Sequence, residues 1–138
     1  MAATATATID ATFPANADAP RAARSLVTQL GGTVDEQLAI DLRLLLSDVV
    51  TDRVLDQAVA GASARLRVEL SSDDAHVHAC VSDVLERPPT AGMSSSLSER
   101  PAALALLMAL ADSWATTSGP DGAVSIWVTL RAGRAARS

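Results

Sequence analysis

Hydrophobic positions along this chain follow two different periods, and the changes between them outline its elements. Residues 5–13 alternate weakly and are rich in Thr, which predicts an edge strand ending at Pro14. Asp18 then stands at a helix N-cap position, with Pro20 in the first turn and Leu26, Val27 and Leu30 on one face. Gly31-Gly32 stops that helix. Leu38, Leu42, Leu45 and Val49 keep helical spacing and predict a second, longer helix capped by Asp35 or Thr33. Leu46, Val50 and Val54 widen its apolar face, and it should run to about Val59, before Gly61.

The period then shortens to two. Leu66, Val68 and Leu70 alternate with Arg65, Arg67 and Glu69, which reads as a strand with one face inward. Ser71-Ser72-Asp73-Asp74 is a hairpin turn by composition. In the next strand Val77, Ala79 and Val81 face one way, and His76, His78, Cys80 and Ser82 the other. Parity puts Asp83 on the inward row, where an acid lines a pocket or caps a loop. Residues 84–100 carry Pro88-Pro89, Gly92 and Ser94-Ser95-Ser96 and read as a functional or mobile loop, with Met93 as a loop contact. A helix from Pro101 to Trp114, capped by Ser98, is apolar nearly all round, so it should be buried, with Met108 in the core. The turn Ser118-Gly119-Pro120-Asp121-Gly122 precedes a last strand of Val124, Ile126, Val128 and Leu130, with Trp127 on its other face.

Paired strands with helices packed on one face predict an α+β two-layer sandwich with a mixed, largely antiparallel sheet. At 138 residues the chain is expected to form one domain over 18–131, preceded by residues 1–17 and followed by a frayed tail at 132–138. Half the residues are hydrophobic (49%) and 20% are charged, which excludes a disordered chain. The net charge of −5 argues against a nucleic-acid backbone or an anionic membrane as partner. The single Cys80 excludes an internal disulfide, and the N-terminus lacks a basic segment followed by an apolar one, so a cytoplasmic location is expected. Every basic side chain is Arg, because the chain has no Lys.

Three groups of residues carry candidate chemistry. Asp41, Asp48, Asp52 and Asp56 form a stripe on the long helix. The stripe is either a solvated face or, through Asp48 and Asp52, a carboxylate pair able to act as general base and Mg²⁺ ligand. Ser47 lies near these carboxylates, but no Ser-His-Asp pattern accompanies it. His76, His78 and Cys80 share a strand face at a spacing that metal ligands can use, yet no fourth ligand is apparent and no zinc site is expected. A Gly-rich phosphate loop of either common type is missing.

Two segments resemble a known family. Leu44-Leu45-Leu46-Ser47-Asp48-Val49-Val50-Thr51-Asp52-Arg53-Val54 is similar to the Leu-Val-Ser-Glu-Leu-Val-Thr-Asn-Ala-Val helix of the anti-sigma-factor serine kinases, a branch of the histidine kinase-like ATPases. Ala109-Leu110-Ala111-Asp112-Ser113-Trp114, followed by Gly122 and Val124-Ser125-Ile126-Trp127, resembles that family's Ala-Leu-Ala-Asp-Arg-Trp, Gly-Gly-Lys turn and Val-Trp strand. The resemblance spans about Ala19 to Leu130 and implies the family's fold. It places the catalytic acid on Asp48, the Mg²⁺-binding residue on Asp52 and the adenine-reading acid on Asp83, with Ala103 and Leu104 in the nucleotide loop.

The same resemblance implies ATP and Mg²⁺ as cofactors, a sigma factor or an anti-sigma antagonist as partner, and a homodimer. The phosphate side departs from the family's pattern. Val84, Leu85 and Glu86 follow Asp83 where the family has small residues, and Pro101, Ala102, Ala103 and Leu104 stand for Gly-x-Gly-Leu. Ala123 stands where the family's phosphate-binding Lys does. Glycines let the backbone aim N–H groups at phosphates, and Pro101 has no N–H to give. Each charge-assisted phosphate contact is worth roughly 1.5–3 kcal/mol. Losing two or three implies ATP binding weakened by orders of magnitude, and hence a regulator acting by partner binding rather than phosphotransfer. The alternatives are an active ATP-dependent serine kinase with a variant loop and a plain dimerisation scaffold. Arg53 and Arg100 are the basic residues that could compensate, and the sequence places neither.

Overall fold

A computed structural model describes residues 7–31, 34–60, 64–73, 75–86 and 101–131. The elements are β1 (Ala7–Pro14), α1 (Ala19–Gln29), α2 (Glu36–Ala60), β2 (Ala64–Ser72), β3 (His76–Leu85), α3 (Pro101–Leu110), β4 (Ser113–Ser118) and β5 (Val124–Arg131). The strands form one sheet in the order β1-β2-β3-β5-β4. All four pairings are antiparallel, with Ile9 opposite Leu70, Val68 opposite Val81, Val81 opposite Ile126 and Trp114 opposite Val128. The helices cover one face: α1 lies over β1 and β2, α2 crosses β2, β3 and β5, and α3 packs beside α2. The fold is an α+β two-layer sandwich.

The alternation read from the sequence sets this layering. Leu66, Val68 and Leu70 of β2, Val77, Ala79 and Val81 of β3, and Val124, Ile126, Val128 and Leu130 of β5 point at the helices and are buried. They meet Ala23, Leu26, Val27 and Leu30 of the α1 region and Leu38, Leu42, Leu45, Leu46, Val49 and Val50 of α2. Asp35 caps α2, its Oδ1 accepting the Leu38 N–H at 2.7 Å. Asp18 occupies the N-cap position of α1 but makes no side-chain cap bond. Gly31 ends that region at φ +57°, a conformation that costs a side-chain-bearing residue and not a glycine.

Four sequence expectations change. Ser71 and Ser72 belong to β2, so the hairpin connection shrinks to the residues after them. Val84 and Leu85 belong to β3 rather than to a loop. The apolar helix ends at Leu110, and Trp114, expected at its end, sits instead on a strand, β4, that the sequence pattern does not predict. That helix is not buried all round: Leu107 is 0% exposed, but Met108 is 70% exposed and therefore outside the core. Thr33, Asp74, Pro88-Pro89, Met93 and Ser98 lie outside the described residues. Among the described residues, no helix is long and apolar enough to cross a membrane.

Candidate functional site

The inward stripe of α2 changes character along its length. Leu38, Leu42, Leu45 and Val49 are buried, and the same alternation of three- and four-residue steps continues to Asp52 and Asp56. A neighbouring row runs Leu46, Val50, Arg53 and Gln57. Asp52 and Arg53 are 0% exposed, so the last turns of α2 drive a polar cluster into the layer between helix and sheet.

Asp83, projecting inward from β3, receives that cluster. The Arg53 guanidinium grips its carboxylate with both arms, Nε to Oδ1 at 3.1 Å and Nη2 to Oδ2 at 2.7 Å. Gln57 Nε2 donates to Oδ1 at 2.8 Å, and the Val124 N–H of β5 donates to Oδ2 at 2.9 Å. Asp83 thus joins α2, β3 and the start of β5. On its other side Arg53 Nη1 lies 3.4 Å from Asp52 Oδ2 and 3.0 Å from Asp56 Oδ2. Burial alone would push the Arg53 guanidinium toward losing its proton. The hydrogen bond to Asp83 and the charges of Asp83, Asp56 and Asp52 overcome this and raise its pKa above the ordinary value. Such fork-on-carboxylate geometry is what Arg does and Lys does not. Gln57 Oε1 is buried with no hydrogen-bond partner among the described residues.

The residues expected to share a nucleotide site are placed unevenly. Asp52 and Asp83 come together through Arg53, which contacts both. Asp48 lies one turn earlier on α2 and is half-buried. Asp41 accepts a hydrogen bond from Gln37 at 3.0 Å, and the Ser47 hydroxyl accepts one from Arg24 at 2.9 Å. The carboxylate stripe is therefore neither wholly solvated nor a simple pair: its last two members are buried. Ala103 and Leu104 fall in the first half of α3, and their side chains lie outside the described set. The Ala123 N–H is taken by Asp121 Oδ1 at 3.0 Å. The sequence reading missed the partnership of Arg53 and Gln57 with Asp83. Extending the Leu46–Val50 row by three and then four residues would have found both.

On the outer face of the sheet, Cys80 is buried with Sγ 3.4 Å from the Ser82 hydroxyl, and burial pushes its thiol pKa up. His76 and His78 stack at 5.8 Å between ring centroids.

A crystal structure of the RsbU and RsbW domains of Rv1364c from Mycobacterium tuberculosis matches this architecture with a TM-score of 0.62. The identity is 18%, and the match covers 91% of this chain and 32% of that one. The fold is that of the histidine kinase-like ATPases. This chain spans about a third of the matched chain's length. Neither a family profile nor a curated protein matches the sequence.

Proposed function

We propose that this chain is a partner-binding regulator of the anti-sigma-factor kinase type whose nucleotide site is filled by its own Arg53. The observation that carries this reading is the occupancy of Asp83. In the family that the sequence resembles, the acid at this position reads adenine. Here both carboxylate oxygens are engaged by four internal donors, two from Arg53 and one each from Gln57 and Val124. A base competing for Asp83 must displace a buried bidentate pair, and leaving such a pair half-made costs several kcal/mol.

The Mg²⁺ position tells the same story. Asp52 is 0% exposed and faces Arg53, so a cation there would have to enter beside a buried guanidinium. The residues present do not suit a Mg²⁺-triphosphate, and no phosphotransfer step is assigned to Asp48. With the nucleotide role given up, the reading leaves partner binding. A sigma factor or its antagonist is the partner class, on the resemblance and on the RsbW domain within the matched structure.

Calorimetric titration with ATP and Mg²⁺ tests the reading. Dissociation constants above the millimolar range are expected, and micromolar affinity would overturn it. Binding assays against the cognate sigma factor and antagonist test the partner: saturable binding to at least one, unchanged by ATP, is expected.

A further inference from the structure

The β2–β3 hairpin gathers three side chains whose chemistry the function above leaves unused. Asp73, His76 and His78 each offer one ligand atom, and these atoms all lie within 4.8 Å of one another. His76 and His78 share the outer face of β3 because they are two residues apart on a strand. Asp73 is brought to them by the turn. Its Oδ1 accepts the Ala75 and His76 N–H groups at 2.8 and 2.7 Å, while its own N–H donates to the His76 carbonyl at 2.9 Å. One carboxylate oxygen thus pins the turn and leaves Oδ2 facing His78 Nε2 at 4.0 Å.

We propose that Asp73, His76 and His78 form a divalent-metal site suited to Zn²⁺. The donor set, two imidazoles and one carboxylate, is one that Zn²⁺ takes readily, at about 2.0–2.2 Å per ligand. A tetrahedral ion of that size sets its ligand atoms about 3.4 Å apart, so small side-chain rotations close the present spacing. His78 is already oriented for it. Its Nδ1 lies 3.1 Å from the Thr129 hydroxyl on β5, and an N–H donated there leaves the Nε2 lone pair directed toward Asp73. Ligating histidines are commonly held in this way by a second residue. The two backbone hydrogen bonds to Asp73 Oδ1 fix the position of its carboxylate beside the histidines.

Three protein ligands leave a fourth position for water or for a carboxylate from outside. His78 also lines a groove of about 220 Å³ on the outer sheet face, together with Thr129, Trp127 and Ser71. Cys80, the third metal-ligand type on this strand face, is not part of the set: it is buried and directed to Ser82.

The test is a Zn²⁺ titration of the untagged full chain at pH 7.5, read by calorimetry and by the ring signals of His76 and His78 in NMR. One equivalent binding with a micromolar dissociation constant, accompanied by shifts of both rings, is expected. His78→Ala and Asp73→Asn should each weaken binding at least 10-fold, Thr129→Val should weaken it less, and Cys80→Ser should leave it unchanged. Both His78 and Asp73 are peripheral to the core, and circular dichroism of the variants checks that they fold. Dissociation constants above a millimolar, or micromolar binding untouched by His78→Ala, would overturn the proposal.

Discussion

Two arginines in this molecule make the same kind of bond in opposite surroundings. Arg67, on the outer face of the sheet, grips Asp10 of β1 through Nε and Nη2 and lies 3.7 Å from Glu69. Arg53, on the inner face, grips Asp83 and reaches Asp52 and Asp56. Both are forked pairs, but Arg67 and Asp10 are roughly half-exposed while Arg53 and Asp83 are sealed. Water competes for the outer pair and salt screens it, so it steadies the β1–β2 register and little more. The inner cluster has no solvent to fall back on. Removing any member strands charges or donors in a low-dielectric layer. The geometry of an ion pair therefore says less about its consequence than the depth at which it sits.

That contrast can be broken by three experiments of decreasing effect. Arg53→Ala leaves three carboxylates in the buried layer, and a loss of about 3–5 kcal/mol in urea unfolding is expected. A loss below about 1 kcal/mol would erase the distinction between the two clusters. Asp83→Asn keeps the shape but turns one acceptor into a donor, set against Arg53 together with either Gln57 or the Val124 N–H. A smaller loss, about 1–3 kcal/mol, should follow. Arg67→Ala should move the unfolding midpoint least, and the shift should shrink further at high salt.

The outer pair also carries a pH signature. The hydrogen bond from Arg67 holds the Asp10 carboxyl below its ordinary value of 3.8. A carboxylate with a depressed folded-state pKa contributes above the unfolded value, and that contribution is lost as pH falls through the depressed one. Arg67→Ala should therefore show a shallower loss of stability below pH 4 than the parent chain, measured by unfolding across an acid series.

Most of the architecture was legible because it rests on burial. The rows Leu66-Val68-Leu70, Val77-Ala79-Val81 and Val124-Ile126-Val128-Leu130 are period-two patterns that meet a helical layer, and each became a strand. β4 was not legible for the complementary reason. All six of its residues are exposed, so Ser113–Ser118 carries no apolar alternation, and its place is fixed by the ladder to β5 instead. Thr and Trp suit a strand, but a preceding apolar run through Leu110 extended the helix past its true end. Met108 followed from the same error: a helix at the margin of the layer buries Leu107 and leaves Met108 outside.

The candidate site divides along similar lines. The inward direction of Asp83 followed from strand parity alone. Its partners did not, because Arg and Gln on a helix are ordinarily solvated and only their register with Leu46 and Val50 marks them as buried. The outer-face metal candidates were visible as His76 and His78. Asp73 was assigned to the turn, and only the folded hairpin puts its free oxygen beside them.

The hydrogen bond from Val124 to Asp83 makes one amide of β5 a natural reporter. Its proton is held by a side chain from the neighbouring strand, two residues after the bend at Gly122, where φ is +87°. Its exchange with deuterium should consequently keep time with opening of the inner cluster, while amides further along the strand follow global unfolding. A single resonance can thus time how often the interior releases its grip.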